Sequence, residues 1–313
     1  MRFSILIPTH NRSAILRRTL EGLAGLEQPA GAQLELIVIA NACTDDTAAV
    51  VADFAARSAF PARVVAEPEP GVAHARNRAL REARGEIVFF LDDDILVEPG
   101  WLQAHLAIYA AHPADLVAGK ITLWTQERQP PEWLLGVMHS VMSWKDLGDR
   151  VLEITSPGDC ISGNLSMRRQ VFERAGEFKT GLGRKGTSLL GGEEIEFVAR
   201  ALRQGARAFY APQALGKHWV PARFMERDFL CRLAFDRART RVFMKERLGF
   251  GRVANRMLLS PLRIAGHQLG EWLGQARGDP CAALTHRIKR MKRWGGLVAT
   301  CQHLAGRSPL HQK

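Results

Sequence analysis

Apolar and polar positions along the chain fall into two regimes. Up to about residue 100, short apolar runs alternate with stretches of helical spacing. Phe3-Ser-Ile-Leu-Ile7 predicts a buried strand, stopped by Pro8. Ile15, Leu16, Leu20 and Leu23 then recur at helical intervals over residues 13–26. Leu34-Glu-Leu-Ile-Val-Ile39 predicts a second strand, and Asp45 is placed to cap a helix running to about Arg57. Arg63-Val-Val-Ala66 predicts a third strand. Residues 72–84 predict a third helix, ended by Gly85, and residues 86–91 a fourth strand. Pro99 is placed to open the next helix.

Strands and helices alternating over short connections predict an α/β fold. Its sheet is mostly parallel and Rossmann-like, with helices on both faces. In such sheets ligands bind beyond the carboxyl ends of the strands. Three polar clusters stand at those ends: Thr9-His-Asn-Arg12, Asn41-Ala-Cys-Thr-Asp45 and Asp92-Asp-Asp94. They are expected to meet on one rim.

The middle of the chain is less regular. Residues 124–160, rich in Trp and Pro, are expected to form a loop or flap. Asp159 to Met167 reads as a strand entering a short helix. Gly181 to Gly192 reads as a glycine-rich loop carrying Arg184 and Lys185. A helix begins at Gly192-Glu-Glu-Ile-Glu, and Phe209-Tyr210 predicts a last short strand. From Phe224 the pattern turns helical. Leu230, Leu233, Ala234, Arg237 and Arg241 fit a long helix with one basic side, and residues 253–273 and 281–304 predict two more. The expected division is an α/β domain over 1–222 and a basic helical extension over 223–313.

Charge sharpens that division. The net charge of +11 lies wholly in the last third: residues 1–222 carry a net −2 and residues 223–313 a net +13. Such a segment favours an anionic surface. No nucleic-acid-binding motif accompanies the charge, so nucleic acid is not expected; two readings stand, an anionic membrane surface as partner, which is favoured, and a solvated basic helical cap. Five cysteines without a CxxC pair suggest neither a zinc site nor a disulfide framework. The N-terminal apolar stretch is too short for a signal peptide, and no run approaches the roughly 20 residues that span a bilayer. The expectation is a reduced cytoplasmic chain, at most peripheral on the cytoplasmic face of the membrane.

Asp92-Asp-Asp94 carries the candidate chemistry. Three adjacent carboxylates after Ile-Val-Phe-Phe-Leu repel one another unless solvated, paired or bound to a cation. Mg2+ and Mn2+ take hard oxygen ligands, commonly one or two carboxylates plus substrate phosphates. A loop at a strand end lets alternate side chains turn toward one ion.

Pro8-Thr-His-Asn-Arg12, Val38-Ile-Ala-Asn-Ala-Cys-Thr-Asp-Asp-Thr47, Gly71-Val-Ala-His-Ala-Arg-Asn77 and Phe90-Leu-Asp-Asp-Asp94 occur in that order. The chain over residues 3–220 thereby resembles family 2 glycosyltransferases. The resemblance implies the GT-A fold and inverting, metal-dependent transfer of a sugar. The donor would be a nucleotide-diphosphate sugar and the acceptor a hydroxyl of a saccharide or lipid-linked molecule.

It also implies roles. Pro8, Thr9 and Arg12 would line the nucleotide pocket and Asn41 would contact the base. The preceding position, commonly Asp in the family, is Ala40 here. Arg76 would meet phosphate, with Asn77 beside it at the donor site, and Asp92 and Asp93 would also serve the donor. Asp94, Asp92 and His218 would hold the Mn2+ or Mg2+. Gly163 and Asn164 would lie near a bound sugar. Glu194 stands where the family has its catalytic Asp and is the expected general base, with Glu193 in reserve and Arg200 as their structural partner. Two other readings are weighed. A nucleotidyltransferase should carry a glycine-rich phosphate loop near the N-terminus, and Pro8–Arg12 has no glycine. An inactive nucleotide-sugar-binding protein should lack the acids, and they are present.

Overall fold

The computed structural model describes residues 1–29, 31–125, 129–185, 189–244 and 249–307. The first half follows the sequence pattern closely. Strand β1 (Arg2–Thr9), helix α1 (Ser13–Ala24), β2 (Gln33–Asn41), α2 (Thr47–Ala55), β3 (Ala62–Glu67), α3 (Val72–Glu82) and β4 (Ile87–Leu91) succeed one another as predicted. β5 (Ile95–Val97), α4 (Trp101–Ala111), β6 (Leu116–Trp124), α5 (Glu132–Val141), β7 (Leu152–Ile154), β8 (Asn164–Arg168), α6 (Arg169–Ala175), α7 (Glu193–Arg203) and β9 (Ala208–Trp219) follow. The chain ends in α8 (Arg227–Phe243), α9 (Phe250–Ala276) and α10 (Pro280–Leu304).

Nine strands form one sheet in the order β3-β2-β1-β4-β8-β6-β9-β5, with β7 also paired to β9. β1, β2, β3 and β4 are parallel, as are β6 and β9. β8 runs antiparallel to both β4 and β6, joining the two parallel parts. Alternation along each strand sends its side chains to opposite faces. Ile5, Ile7, Leu36, Val38, Phe89 and Leu91 pack with α1, α2 and α4. Leu6, Ile37, Ile39, Val88 and Phe90 pack on the other face with α3, α6 and α7. Burial on both faces explains the near-continuous apolar runs.

Two expectations change. The last strand has twelve residues, not two. It shifts register against β6 between Gly119 and Lys120, and Pro212, Gln213 and Ala214 form the irregularity. Proline cannot donate to a ladder, so it sits at this break and hides the strand in the sequence. The region 124–160 holds α5 and β7 as well as loops. Within the expected glycine-rich loop, residues 186–188 lie outside the described residues.

Two compact units are not contiguous in sequence. The first comprises residues 1–124, 143–180 and 193–219, and holds the sheet. The second comprises 125–142, 181–192 and 220–313, where α8 and α9 pack on α10. Leu230, Leu233, Ala234, Leu284 and Ile288 are buried there. Gly295 of α10 lies so close to α8 that a Cβ on it would sit 2.3 Å from the Phe235 carbonyl oxygen.

One buried polar knot supports the rim of the first unit. Asn164, fully buried, accepts from Trp101 Nε1 at 2.7 Å and His105 Nε2 at 3.0 Å. Its amide donates to the carbonyls of Lys120 and Ala214. Burial holds the His105 pKa down to about 4, so the ring is neutral. Its Nε2–H donates to Asn164 and its Nδ1 accepts from Ser166 Oγ. Asn164→Leu leaves four buried polar groups without partners and is expected to destabilise the chain by about 3 kcal/mol or more. Urea unfolding of the two proteins measures this.

Candidate active site

The rim is built from four short segments. After β1, Thr9 donates its hydroxyl to Asp93 Oδ2 at 2.6 Å. Arg12 spreads its guanidinium over two acids, donating to Asp93 Oδ1 and Asp94 Oδ2, each at 2.7 Å. Thr19, in the middle of α1, donates to the Asp93 carbonyl at 2.8 Å. Pro8 is buried in the last turn of β1, paired in register with Ile39.

The segment after β2 is bound to the first. Asn11 Oδ1 accepts from Thr44 N at 2.7 Å, and His10 Nδ1 donates to the Asn41 carbonyl at 2.6 Å. Asp45 accepts from Ser13 N and from the Thr47 hydroxyl, so it joins the two loops and also anchors the start of α2. The tight fit places Asn11 and Ala42 in the left-handed region, at φ 50° and 49°. For alanine this is a strained conformation, of the kind that collects at functional sites. Asn41 itself faces the segment after β3. Its amide donates to the carbonyls of Glu67 and Glu69, and its oxygen accepts from Gly71 N. Both of its N–H donors are thus engaged in shaping the loop expected to cradle the base.

The acids differ sharply in surroundings. Asp93 and Asp94 are buried, while the Asp92 side chain is 35% exposed. Burial pushes the Asp93 carboxyl above the usual carboxylate range, opposed by Arg12. Burial acts on Asp94 in the same sense but is outweighed by His218 and Arg12, which hold it well below that range. His218 Nε2, at the end of β9, stands 3.5 Å from Asp94 Oδ2, and its Nδ1 is buried with no hydrogen-bond partner among the described residues. Asp92 lies against Gly163, where a Cβ would stand 2.8 Å from Asp92 Oδ2. Only glycine lets this carboxylate keep its place.

Arg76, on α3, is buried and bonds Glu193, with Asp92 3.4 Å from its other nitrogen. Burial disfavours its charge, yet Glu193 and Asp92 together raise its pKa. A phosphate would share this guanidinium with both acids. Asn77 turns away from the rim and exchanges two hydrogen bonds with the Phe178 backbone, so its expected place at the donor site gives way to a structural one.

α7 opens with Glu193 and Glu194, where acids are favoured by the helix dipole. Glu193 is paired with Arg76. Glu193 Oε2 and Glu194 Oε2 are both buried with no hydrogen-bond partner among the described residues. Burial, and next the Glu193 charge, push the Glu194 carboxyl well above the ordinary range. Arg200 bonds Glu196, with the Ala175 and Glu177 carbonyls, rather than Glu193 or Glu194.

Among the described residues, no group of three His, Cys, Asp or Glu side chains is placed to hold an ion alone. Asp94 and His218, side by side with Asp92 nearby, instead fit a cation that takes its remaining ligands from a phosphate. The unpartnered His218 nitrogen marks that edge as unfinished within the protein.

Residues 4–176 match the family model for glycosyl transferase family 2. The chain belongs to that family. Among curated members it is 28% identical to a glucosyl-dolichyl phosphate glucuronosyltransferase of Haloferax volcanii over 47% of this chain, and 29% identical to a pre-mycofactocin glycosyltransferase of Mycobacterium tuberculosis over 74%. It spans about half the length of these two, 47% and 45%. It is 27% identical to the succinoglycan biosynthesis protein ExoM of Rhizobium meliloti, covering 72% of this chain and 69% of that one. Among solved structures, a mannosyltransferase of Pyrobaculum calidifontis in complex with GDP-Man and Mn2+ superposes with a TM-score of 0.61 at 21% identity, covering 97% of this chain and 86% of that one. TarS of S. aureus in complex with UDP gives 0.54 at 16%, with 98% and 92% covered. These likenesses carry the GT-A fold.

Thr19 escaped the sequence reading, although a polar residue on the buried Leu16-Leu20-Leu23 stripe is a visible signal. Arg12→Met would leave Asp93 and Asp94 buried without their cation and is expected to cost about 3 kcal/mol at neutral pH. The loss should narrow as pH falls and both carboxyls take up protons, since Asp94 loses its charge-dependent stabilisation in wild type too. Denaturant melts across pH give both quantities.

Proposed function

We propose that the protein transfers a sugar from a nucleoside diphosphate sugar to a hydroxyl of a saccharide or lipid-linked acceptor, with inversion at the transferred carbon. The observation that carries this reading is the contrast between the two glutamates opening α7. Each keeps a buried carboxylate oxygen without a partner among the described residues, but the other oxygen of Glu193 is paired with Arg76, while burial and the Glu193 charge raise the Glu194 carboxyl above the ordinary range.

An acceptor hydroxyl is a weak nucleophile until its proton is removed. Glu194 is the base. Its raised pKa matches it to an alcohol proton better than an ordinary carboxylate would. As the proton moves to Glu194, the hydroxyl oxygen bonds the sugar carbon and the sugar–phosphate bond breaks on the opposite side. That single displacement inverts the centre. Asp94, His218 and Asp92 are the residues that would hold Mn2+ or Mg2+. When bound, the cation neutralises the charge that grows on the departing diphosphate. Arg12 fixes Asp93 and Asp94 in place, and Gly163 leaves room for Asp92. Arg76 couples the donor side to the base side, since one guanidinium touches both Asp92 and Glu193.

The donor class is supported by the neighbours that hold GDP-Man with Mn2+ and UDP. The acceptor class is supported by relatives named for a dolichyl phosphate substrate and for succinoglycan biosynthesis. No helix among the described residues is long and apolar enough to cross a membrane. A cytoplasmic enzyme acting on such acceptors at the membrane surface fits this reading.

Nucleotide sugars screened by thermal shift are expected to stabilise the protein only with Mn2+ or Mg2+ present. Asp94→Ala should weaken donor binding at least about tenfold by calorimetry, through loss of a cation ligand. Glu194→Gln should leave donor binding within about twofold and cut kcat by roughly 10²–10⁴. The reading fails if Glu194→Gln turns over at the wild-type rate.

The base must be unprotonated to act, and its pKa is raised. Activity is therefore expected to fall as pH drops, along a limb lying above the usual carboxylate range. The pH profile of kcat/KM reports this limb, and an acid limb near pH 4 would assign the proton to another group.

A further inference from the structure

Helix α9 is inside out. Its inward stripe carries polar residues: Ser260 and Glu271 are buried there with Gly274, and Arg256 and His267 are half-buried beside them along with Val253 and Ile264. Glu271 bonds Arg290 at 2.9 Å, Arg256 donates to the Thr300 hydroxyl, and His267 meets His286 edge to face. The outward stripe is apolar. Leu258 and Leu262 are each 71% exposed, Leu269 55%, Trp272 60% and Leu273 46%. With exposed Ala265 and Ala276 they recur every three or four residues, so they share one face. That face runs about 27 Å along the helix at 1.5 Å per residue.

A soluble surface seldom carries an apolar stripe of this length without something to cover it. Charge decides what covers this one. Glu271, the one acid of α9, points inward, so no carboxylate interrupts the stripe. Arg252, Arg263 and Arg277 are exposed along one border. A second copy laid face to face would bring these arginines toward their own counterparts. A spanning role is excluded, since no described helix is long and apolar enough. An anionic bilayer meets every feature. The leucines enter the boundary between headgroups and acyl chains, Trp272 rests at headgroup depth, and arginine stems lie along the apolar surface with their heads at lipid phosphates.

We propose that the outer face of α9 is an interfacial membrane anchor selective for anionic lipid. It lies flat in one leaflet, held by Leu258, Leu262, Leu269 and Trp272 and steered by Arg252, Arg263 and Arg277. The inference stands independently of the donor and acceptor assigned above.

The test uses the full chain in co-sedimentation with vesicles of phosphatidylcholine alone or mixed with phosphatidylglycerol. Two variants accompany it, Leu262→Ser/Trp272→Ser and Arg252→Gln/Arg263→Gln/Arg277→Gln. All five positions are exposed, and circular dichroism melts confirm that each variant is folded. Wild type is expected to bind the mixed vesicles and to bind phosphatidylcholine much more weakly. The apolar double variant should lose about tenfold or more in partitioning. The arginine variant should lose roughly one to two orders of magnitude on anionic vesicles and much of the salt dependence. Equal binding by wild type and the double variant would overturn the proposal, since charge alone would then suffice. So would failure of wild type to bind anionic vesicles. A wild-type dimer in light scattering that the double variant converts to monomer would assign the face to a second copy instead.

Discussion

The rim of the sheet depends on one guanidinium shared between two neighbouring carboxylates. Asp93 and Asp94 are both buried, and buried like charges in adjacent residues are unstable unless a cation lies between them. Arg12 supplies that cation in forked form, with one nitrogen for each acid. Lysine, a point charge, could not face both in the same way. The clasp also has a topological effect. Arg12 follows β1 and the aspartates follow β4, so the ion pair ties together two parallel strands at their carboxyl ends.

Around this clasp the loops hold one another rather than being held by the core. Asp45 bridges the segments after β1 and β2, while Asn41 bridges those after β2 and β3. Several side chains at ligand-facing positions therefore serve first as scaffolding. What the scaffold leaves open among the described residues is informative by contrast: a His218 nitrogen without a partner, and one unpaired oxygen on each of Glu193 and Glu194. Groups left unsatisfied inside an otherwise well-bonded wall are where a substrate or ion completes the structure. The two glutamates of α7 show how one short segment yields two chemical characters, since a single arginine contacts only one of them.

Much of this was legible in the sequence. Short apolar runs gave the parallel strands β1, β2 and β4 because each is buried on both faces, and helical spacing gave α1, α3 and the three C-terminal helices. The polar clusters at strand ends located the rim. Pairings across it were not legible. Arg76 read as a phosphate ligand and Arg12 as part of the nucleotide pocket, because a guanidinium suits carboxylate and phosphate alike, and only distance shows which acids stand nearby. Asn77 was misplaced because neighbouring residues on a helix point about 100° apart. β9 was underestimated since its proline sits at a register break that only pairing reveals. In α9 the sequence predicted a helix with mixed faces and did not separate an inner from an outer one. Which face turns inward was settled by partners for Arg256 and Glu271 that lie in α10.

Ala42 carries a consequence for how this wall tolerates change. Its backbone sits where a β-carbon crowds the following carbonyl, a conformation glycine adopts freely. Replacing it with glycine would relieve that crowding in the native chain. The same replacement would widen the range of shapes open to the loop when nothing is bound. Thermal robustness and readiness of the loop are thus set against each other at one residue, and a methyl group in an uncomfortable place keeps the loop in a single shape.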